Sequence, residues 1–277
     1  MRVGFLITAR LKSTRLPLKI LKDLNGKPVI ERLIDRIKEI KGISEVVICT
    51  STNPQDRPLV DVALKNGIYY FNGDEDDVLQ RLLAAAIFFD LDYFIGITAD
   101  NPLITISHSN MIMDEILTGK YDFIKLEGLP IGAATYGMNV KALRTVCKVK
   151  TIVDTEIWGY LINQPDVFDI KTIKVEEKLR RSELRFTLDY AEDHQFLDNI
   201  YTNVPFDRVL DLNDVMDYLD SHPEVLEINR KCIQLNLGRE VIGQINRHFK
   251  DNLQEIRNIK KEIYSNTKRD IHQRGKR

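Results

Sequence analysis

Alternation of hydrophobic period constrains this chain more than any other feature. Apolar, strand-like runs recur near residues 3–8, 45–50, 68–71, 93–98 and 121–125, with helical patterns between them. Residues 28–41 place Val29, Ile30, Leu33, Ile34, Ile37 and Ile40 on one face, behind a proline suited to a first helical position. Residues 56–66 and 76–90 read the same way. The second of these starts on Asp74, Glu75, Asp76 and Asp77, whose charges complement a helix N-terminus. Strands alternating with helices predict βαβ units, hence an α/β fold with a mostly parallel central sheet between two helical layers, three-layer and Rossmann-like. Ligands of such sheets bind outside the carboxyl ends of the strands. The loop after the first strand and the loop after 93–98 are therefore expected to share one cleft.

The first of those loops is basic. Residues 3–8 empty into Ala9, Arg10, Lys12, Ser13, Thr14, Arg15 and Lys19. Cations interleaved with small and hydroxyl residues suit a polyphosphate, which loop amides can wrap while guanidinium and ammonium groups neutralise it. The glycines of a Walker A loop or a dinucleotide fingerprint are absent. A solvated basic loop would carry the same cations. Asp100 directly follows the 93–98 run, and Asp189 follows an alternating stretch, Leu184 to Leu188, read as a strand. Two strand-end carboxylates could meet across the cleft and hold Mg²⁺, which takes one or two carboxylates plus phosphate oxygens and water. Helix capping would place aspartates at the same positions. The five histidines form no ligand pair, and no Ser-His-Asp or Cys-His arrangement is evident.

The expected domain spans residues 1–205. A helical extension over 206–263 follows, with helices at 211–220, 223–236 and 239–263, and then a disordered tail over 264–277. The extension from residue 239 onward carries eleven Lys/Arg against five Asp/Glu, yet the whole chain has a net charge of −1. That balance gives no case for nucleic-acid binding. No run is long and apolar enough for membrane insertion, and the chain opens on a core-type strand, so no signal peptide is expected. Three widely spaced cysteines form no disulfide or metal framework, which suits a reducing cytoplasm. The apolar stripe of 239–263 suits packing on its own domain or on a second copy in a homodimer.

Ala9-Arg10-x-x-Ser13-x-Arg15-Leu16-Pro17-x-Lys19-x-Leu21 resembles the phosphate loop of the cytidylyltransferases, the group of CMP-Kdo, CMP-acylneuraminate and SpsF-like enzymes. Further blocks follow in the family's order: Gly26-Lys27-Pro28, Thr52-Asn53-Pro54-x-Asp56, Asp76-Asp77-Val78-Leu79-x-Arg81, Ile97-Thr98-Ala99-Asp100-x-Pro102-Leu103 and Arg185-Phe186-Thr187-Leu188-Asp189. The resemblance covers about residues 1–200 and implies a GT-A-like nucleotidyltransferase. It implies that Arg10, Arg15 and Lys19 bind the CTP phosphates with Ala9 and Ser13 in the loop. It further implies that Arg81 supports the nucleotide, that Asp100 and Asp189 hold Mg²⁺, and that Arg10, Lys19 and Asp100 serve catalysis. An acceptor oxygen would attack the α-phosphorus and release pyrophosphate. The chain departs from the family at Ile131, Ala134 and Tyr136, which replace an arginine, an aspartate and a glutamate, and at Ile157, beside Glu156, which replaces a histidine. Gly132, Tyr136 and Glu156 are thus expected to flank a small-molecule acceptor other than the usual acidic sugar. A nucleotide-sugar glycosyltransferase, with Asp90-Leu91-Asp92 as metal motif, and a non-catalytic nucleotide-binding scaffold are the competing readings.

Overall fold

A computed structural model describes residues 1–265. At the centre of the sheet β1 (Val3–Thr8) lies between β4 (Val46–Ser51) and β6 (Tyr93–Thr98), parallel to both. A small hairpin, β2 (Asp23–Leu24) with β3 (Lys27–Pro28), stands apart from the sheet. Its turn residues Asn25 and Gly26 have φ of 49° and 84°, the left-handed pair that an Asn-Gly turn supplies. One edge of the main sheet is β5 (Tyr69–Gly73), parallel to β4. On the other side, β8 (Tyr136–Asn139) runs antiparallel to β6 and to β7 (Phe123–Glu127), and β9 (Ile170–Lys174) closes the edge parallel to β7. The order is β5-β4-β1-β6-β8-β7-β9. The sheet is mostly parallel, as the alternation of period predicts.

Side chains alternate across the strands, so both faces are buried. Phe5 and Ile7 face α1 (Val29–Ile37), α2 (Pro58–Lys65) and α4 (Ile106–Leu117), through Leu33, Leu59 and Ile112 among others. Leu6 and Phe94 face the opposite layer, made by α3 (Val78–Phe88), α5 (Val140–Val149) and α6 (Gly159–Ile162). A third core lies under α7 (Ala191–Asn203) and α8 (Leu212–Ser221), where Phe186, Leu188, Phe196 and Val215 pack with Leu24 and Leu103. The described residues end with α9 (Arg239–Asp251) and α10 (Leu253–Ser265), whose Ile245, Phe249 and Ile256 return to the α3–α5 side.

Several local expectations are corrected. Residues 223–236 are not a helix: a 3₁₀ turn covers Pro223–Glu227, and 228–238 contain no regular element. The buried Asn229 side chain donates instead to the Arg185 carbonyl (3.0 Å) and the Asp193 carboxylate (3.1 Å), tertiary bonds that override local helix propensity. The stretch 239–263 is two helices because Asn252 leaves the helical region (φ −109°, ψ 19°) and its side chain donates to the His248 carbonyl. Residues 184–188 make one isolated bridge, Arg185 to Ile131, rather than a strand. Pro28 stands just before α1 rather than inside it. Tyr264 and Ser265 belong to α10, and the rest of the expected tail lies outside the described residues.

Candidate active site

The basic loop turns back on itself at Leu18, an exposed leucine in the left-handed region (φ 54°), directly before a 3₁₀ turn over Lys19–Leu21. That conformation is costly for a leucine and aims Lys19 inward. The Lys19 Nζ donates to Asp100 Oδ2 at 2.5 Å and to Asp189 Oδ1 at 2.8 Å, so one ammonium spans both aspartates. Backbone pairing explains the convergence. Asp100 follows β6, and the Leu188 amide donates to the Asp100 carbonyl at 2.9 Å, tying the 184–189 stretch to the end of that strand. Phe186 and Ile131 are joined likewise, the Phe186 amide donating to the Ile131 carbonyl at 2.6 Å.

Neither aspartate caps a helix. Thr105 caps α4, and Asp193 accepts from the Asp189 and Tyr190 amides at the start of α7. Both carboxylates are instead fixed by neighbours. Asp100 Oδ1 accepts from Thr98 Oγ1 (2.6 Å) and Asn101 Nδ2 (3.0 Å). Asp189 accepts from Arg15 (2.9 Å) and from Arg185 (2.5 Å), and the Arg15 guanidinium lies over the Tyr190 ring. Burial alone would raise the Asp189 pKa, but Lys19, Arg15 and Arg185 outweigh it and hold the carboxyl below its usual range. Burial also opposes the Lys19 ammonium, and the two aspartates outweigh it and raise its pKa.

The sign of the pH dependence follows. A lowered aspartate pKa stabilises the fold above its unfolded value, about 3.9, and that contribution is lost as pH falls. A raised lysine pKa stabilises below its unfolded value, about 10.4, and is lost as pH rises. We therefore expect thermal unfolding followed by circular dichroism to show a flat Tm between about pH 5 and 9 with an acid limb below it. Asp189→Asn should flatten that limb, and an unaltered limb would remove Asp189 from the network.

The other cations lie toward β5. Arg10 Nη1 donates to the Glu75 carbonyl (2.7 Å), with the Asp76 and Glu156 carboxylates at 3.9 and 3.7 Å. Arg81, fully buried, shares that carbonyl at 3.2 Å and also reaches the Asp74 carbonyl, while its Nε and Nη2 find no partner among the described residues. Burial, with Arg10 nearby, lowers the Arg81 pKa. A buried guanidinium edge without acceptors carries an uncompensated desolvation cost. The Ala9 amide is already used, donating to the Cys49 carbonyl, and Ser13 Oγ accepts from the Leu16 amide within the loop.

The expected acceptor residues are not brought together. Gly132 (φ 92°) lies against Asn101 and the 186–187 backbone, where a Cβ would come within 2.6 Å of Asn101 Oδ1 and 2.7 Å of the Thr187 nitrogen. Tyr136 packs edge-on to Phe94 and Trp158, with its ring over Gly96. Glu156 faces Arg10. Asp90-Leu91-Asp92 precedes β6, at the end opposite Asp100, and Asp92 accepts from the Arg2 amide. Among the described residues no group of three or more His, Cys, Asp or Glu could hold a metal, and no helix is long and apolar enough to cross a membrane. Arg185 joins this cluster without being singled out by the sequence pattern; its spacing of four from Asp189 and eight from Asp193 is the local signal for it, since its guanidinium joins both.

Comparison with known proteins identifies the family and the fold. Residues 5–157 match the family described as Cytidylyltransferase. The spore coat polysaccharide biosynthesis protein SpsF of Bacillus subtilis is 23% identical over 227 residues, covering 79% of this chain and 95% of that protein. A cytidylyltransferase structure from Leptospira borgpetersenii superposes with a TM-score of 0.77 at 24% identity, covering 86% of this chain and all of the other. A CMP-2-keto-3-deoxy-manno-octonic acid synthetase solved with CTP superposes with a TM-score of 0.59 at 15% identity, covering 73% of this chain and 99% of the other. At these identities the two structures establish the fold alone. The family match spans more than half of the chain, and the protein belongs to the cytidylyltransferases, a family of nucleotidyltransferases.

Proposed function

We propose that the chain transfers the cytidylyl group of CTP, with Mg²⁺, to an oxygen of a small sugar or phosphorylated acceptor and releases pyrophosphate, as a cytoplasmic homodimer working in surface polysaccharide or glycoconjugate synthesis. The observation that carries this reading is the convergence of Asp100 and Asp189 on the Lys19 ammonium, with Arg15 alongside. The site holds cations for a triphosphate and two carboxylates for a hard cation in one place. Asp100 and Asp189 fit Mg²⁺, because a space already spanned by one ammonium suits a cation completed by phosphate oxygens and water. When bound, Mg²⁺ neutralises phosphate charge and orients the α-phosphorus.

The remaining work belongs to side chains. Lys19, Arg15 and Arg10 hold the phosphates, and Arg81, buried behind Arg10 on the shared Glu75 carbonyl, supports the nucleotide end of the site. Acceleration then comes from positioning and charge neutralisation. Pyrophosphate release should require CTP, an acceptor and Mg²⁺, run at least about ten times faster than with ATP, GTP or UTP, and stop when EDTA removes the metal. Glycosyl transfer from a nucleotide sugar, or CTP binding with no turnover on any acceptor, would overturn the proposal.

A further inference from the structure

Between α5 and α6 the chain passes beside the basic loop, and there Glu156 Oε2 lies 3.7 Å from Arg10 Nη2. We propose that Glu156 is a built-in stand-in for phosphate. It neutralises Arg10 in the free protein, leaves when a nucleotide phosphate arrives, and reclaims Arg10 as pyrophosphate departs. The proposal rests on the cytidylyl-transfer reading, in which Arg10 binds phosphate.

Glu156 hangs between two fixed points. On one side Thr155 is fully buried, and its hydroxyl donates to Asp77 Oδ1 (3.0 Å) and accepts from the Leu79 amide (3.0 Å) at the start of α3. The Thr155 amide donates to the Asp76 carbonyl at 3.4 Å. Lys150 fastens the base of the same loop, donating to the Asp77 carboxylate and to the Ile152 carbonyl (2.9 Å). On the other side Trp158 packs edge-on to Tyr136 and Phe123, with ring centres 4.7 and 6.2 Å away. Only Glu156 and Ile157 stand between these anchors, so the carboxylate can swing aside while the loop stays docked.

The contacts of Arg10 divide into one firm neutral bond and two weak ionic ones. Nη1 donates to the Glu75 carbonyl at 2.7 Å, which aims the guanidinium. The Glu156 and Asp76 carboxylates stand off at 3.7 and 3.9 Å, and their side chains are 72% and 69% exposed. Exposed pairs of this kind contribute little and are screened by salt. A phosphate oxygen at hydrogen-bond distance makes a charge-assisted bond about twice as strong as a neutral one, so it displaces the carboxylate. Of the acids near the loop, Glu156 is the one free to move. Glu75 is held by Asn53 Nδ2 (3.2 Å), and the Asp76 backbone is tied at both its amide and its carbonyl. In the empty site Glu156 also relieves the repulsion between Arg10 and the buried Arg81 behind it.

Trp158 is the single tryptophan of the chain and stands two residues from Glu156, so its fluorescence reports on this stretch. The test is calorimetry with pyrophosphate and with CTP, each in the presence of Mg²⁺, on the parent, Glu156→Gln and Glu156→Lys. Removing the competing charge should tighten pyrophosphate binding about threefold, and reversing it about tenfold, with CTP moving the same way. Both gains should shrink in about 0.5 M salt. Trp158 emission should change when pyrophosphate binds the parent, and added pyrophosphate should inhibit both variants at lower concentrations. Variants that bind pyrophosphate no more tightly than the parent, or an unchanged Trp158 emission in a parent that binds it, would overturn the proposal. A merely structural Glu156 would instead weaken binding in both variants. If the parent binds and turns over CTP in those cases, only the role of Glu156 falls. If CTP fails to bind the parent at all, the cytidylyl-transfer reading falls and takes this proposal with it.

Discussion

Asp100→Asn is expected to lower kcat for cytidylyl transfer by about 10³-fold, with the Tm within a few degrees of the parent. The carboxylate is held from both sides, Thr98 and Asn101 donating to Oδ1 and Lys19 to Oδ2, so its position is fixed before any ligand arrives. An asparagine keeps the shape but removes the charge that a divalent cation needs, and it turns one acceptor atom into a donor facing other donors. Losing a preorganised electrostatic element costs about 10²–10³ in rate when it is a neutral hydrogen-bond donor, and on the proposed function, in which Asp100 holds Mg²⁺, the loss lies at or above that range. Single-turnover kinetics with saturating CTP, alongside circular dichroism of the same sample, separates the chemical step from folding. A rate within tenfold of the parent would take Asp100 out of the site.

Lys19→Ala is expected to abolish measurable turnover and to change metal binding in the opposite direction. In the free protein the ammonium lies between the carboxylates that would grip a divalent cation. A cation must therefore displace Lys19, which happens most readily when a triphosphate draws the ammonium to itself. Mn²⁺ followed by electron paramagnetic resonance should bind the parent weakly without nucleotide and at least about tenfold more tightly with CTP. Lys19→Ala should bind Mn²⁺ without CTP, because two carboxylates then face each other with only Arg15 and Arg185 to neutralise them. Equal Mn²⁺ affinity for parent and variant in the absence of CTP would show that Lys19 does not occupy the cation's place.

The legible parts of the fold were those written in local period. Strands β1, β4 and β6 and helices α1 and α3 follow from runs of six residues and stripes at spacings of three and four. The approach of Asp100 and Asp189 was legible only as an inference from strand ends, since the bond that produces it joins residues 88 apart in sequence, the Leu188 amide and the Asp100 carbonyl. Residues 223–236 misled because their apolar spacing is helical while their conformation is set by Arg185 and Asp193, which no local window contains. Asn252 splits a continuous stripe because one side-chain amide competes for the backbone carbonyl of His248. The bond from Arg185 to Gln234 carried no local signal at all, since a glutamine in an irregular segment acquires meaning only from what it touches.

Helix α10 has a consequence for the order in which the molecule is made. Asp122, 3% exposed and just before β7, receives Lys260 at 2.5 Å and the Tyr264 hydroxyl, both from α10. A buried carboxylate without its cation is strongly unfavourable. The two partners are separated by 138 residues, so a ribosome releases the acid long before the base that neutralises it. The half of the sheet built from β1, β4 and β5 is complete in sequence long before α10, whereas the Asp122 end of β7 gains its cation only once α10 has been made. Folding during synthesis is thus expected to run from the β5 edge toward the β9 edge, and a chain stopped short of Leu253 would leave the ribosome without the partners of Asp122.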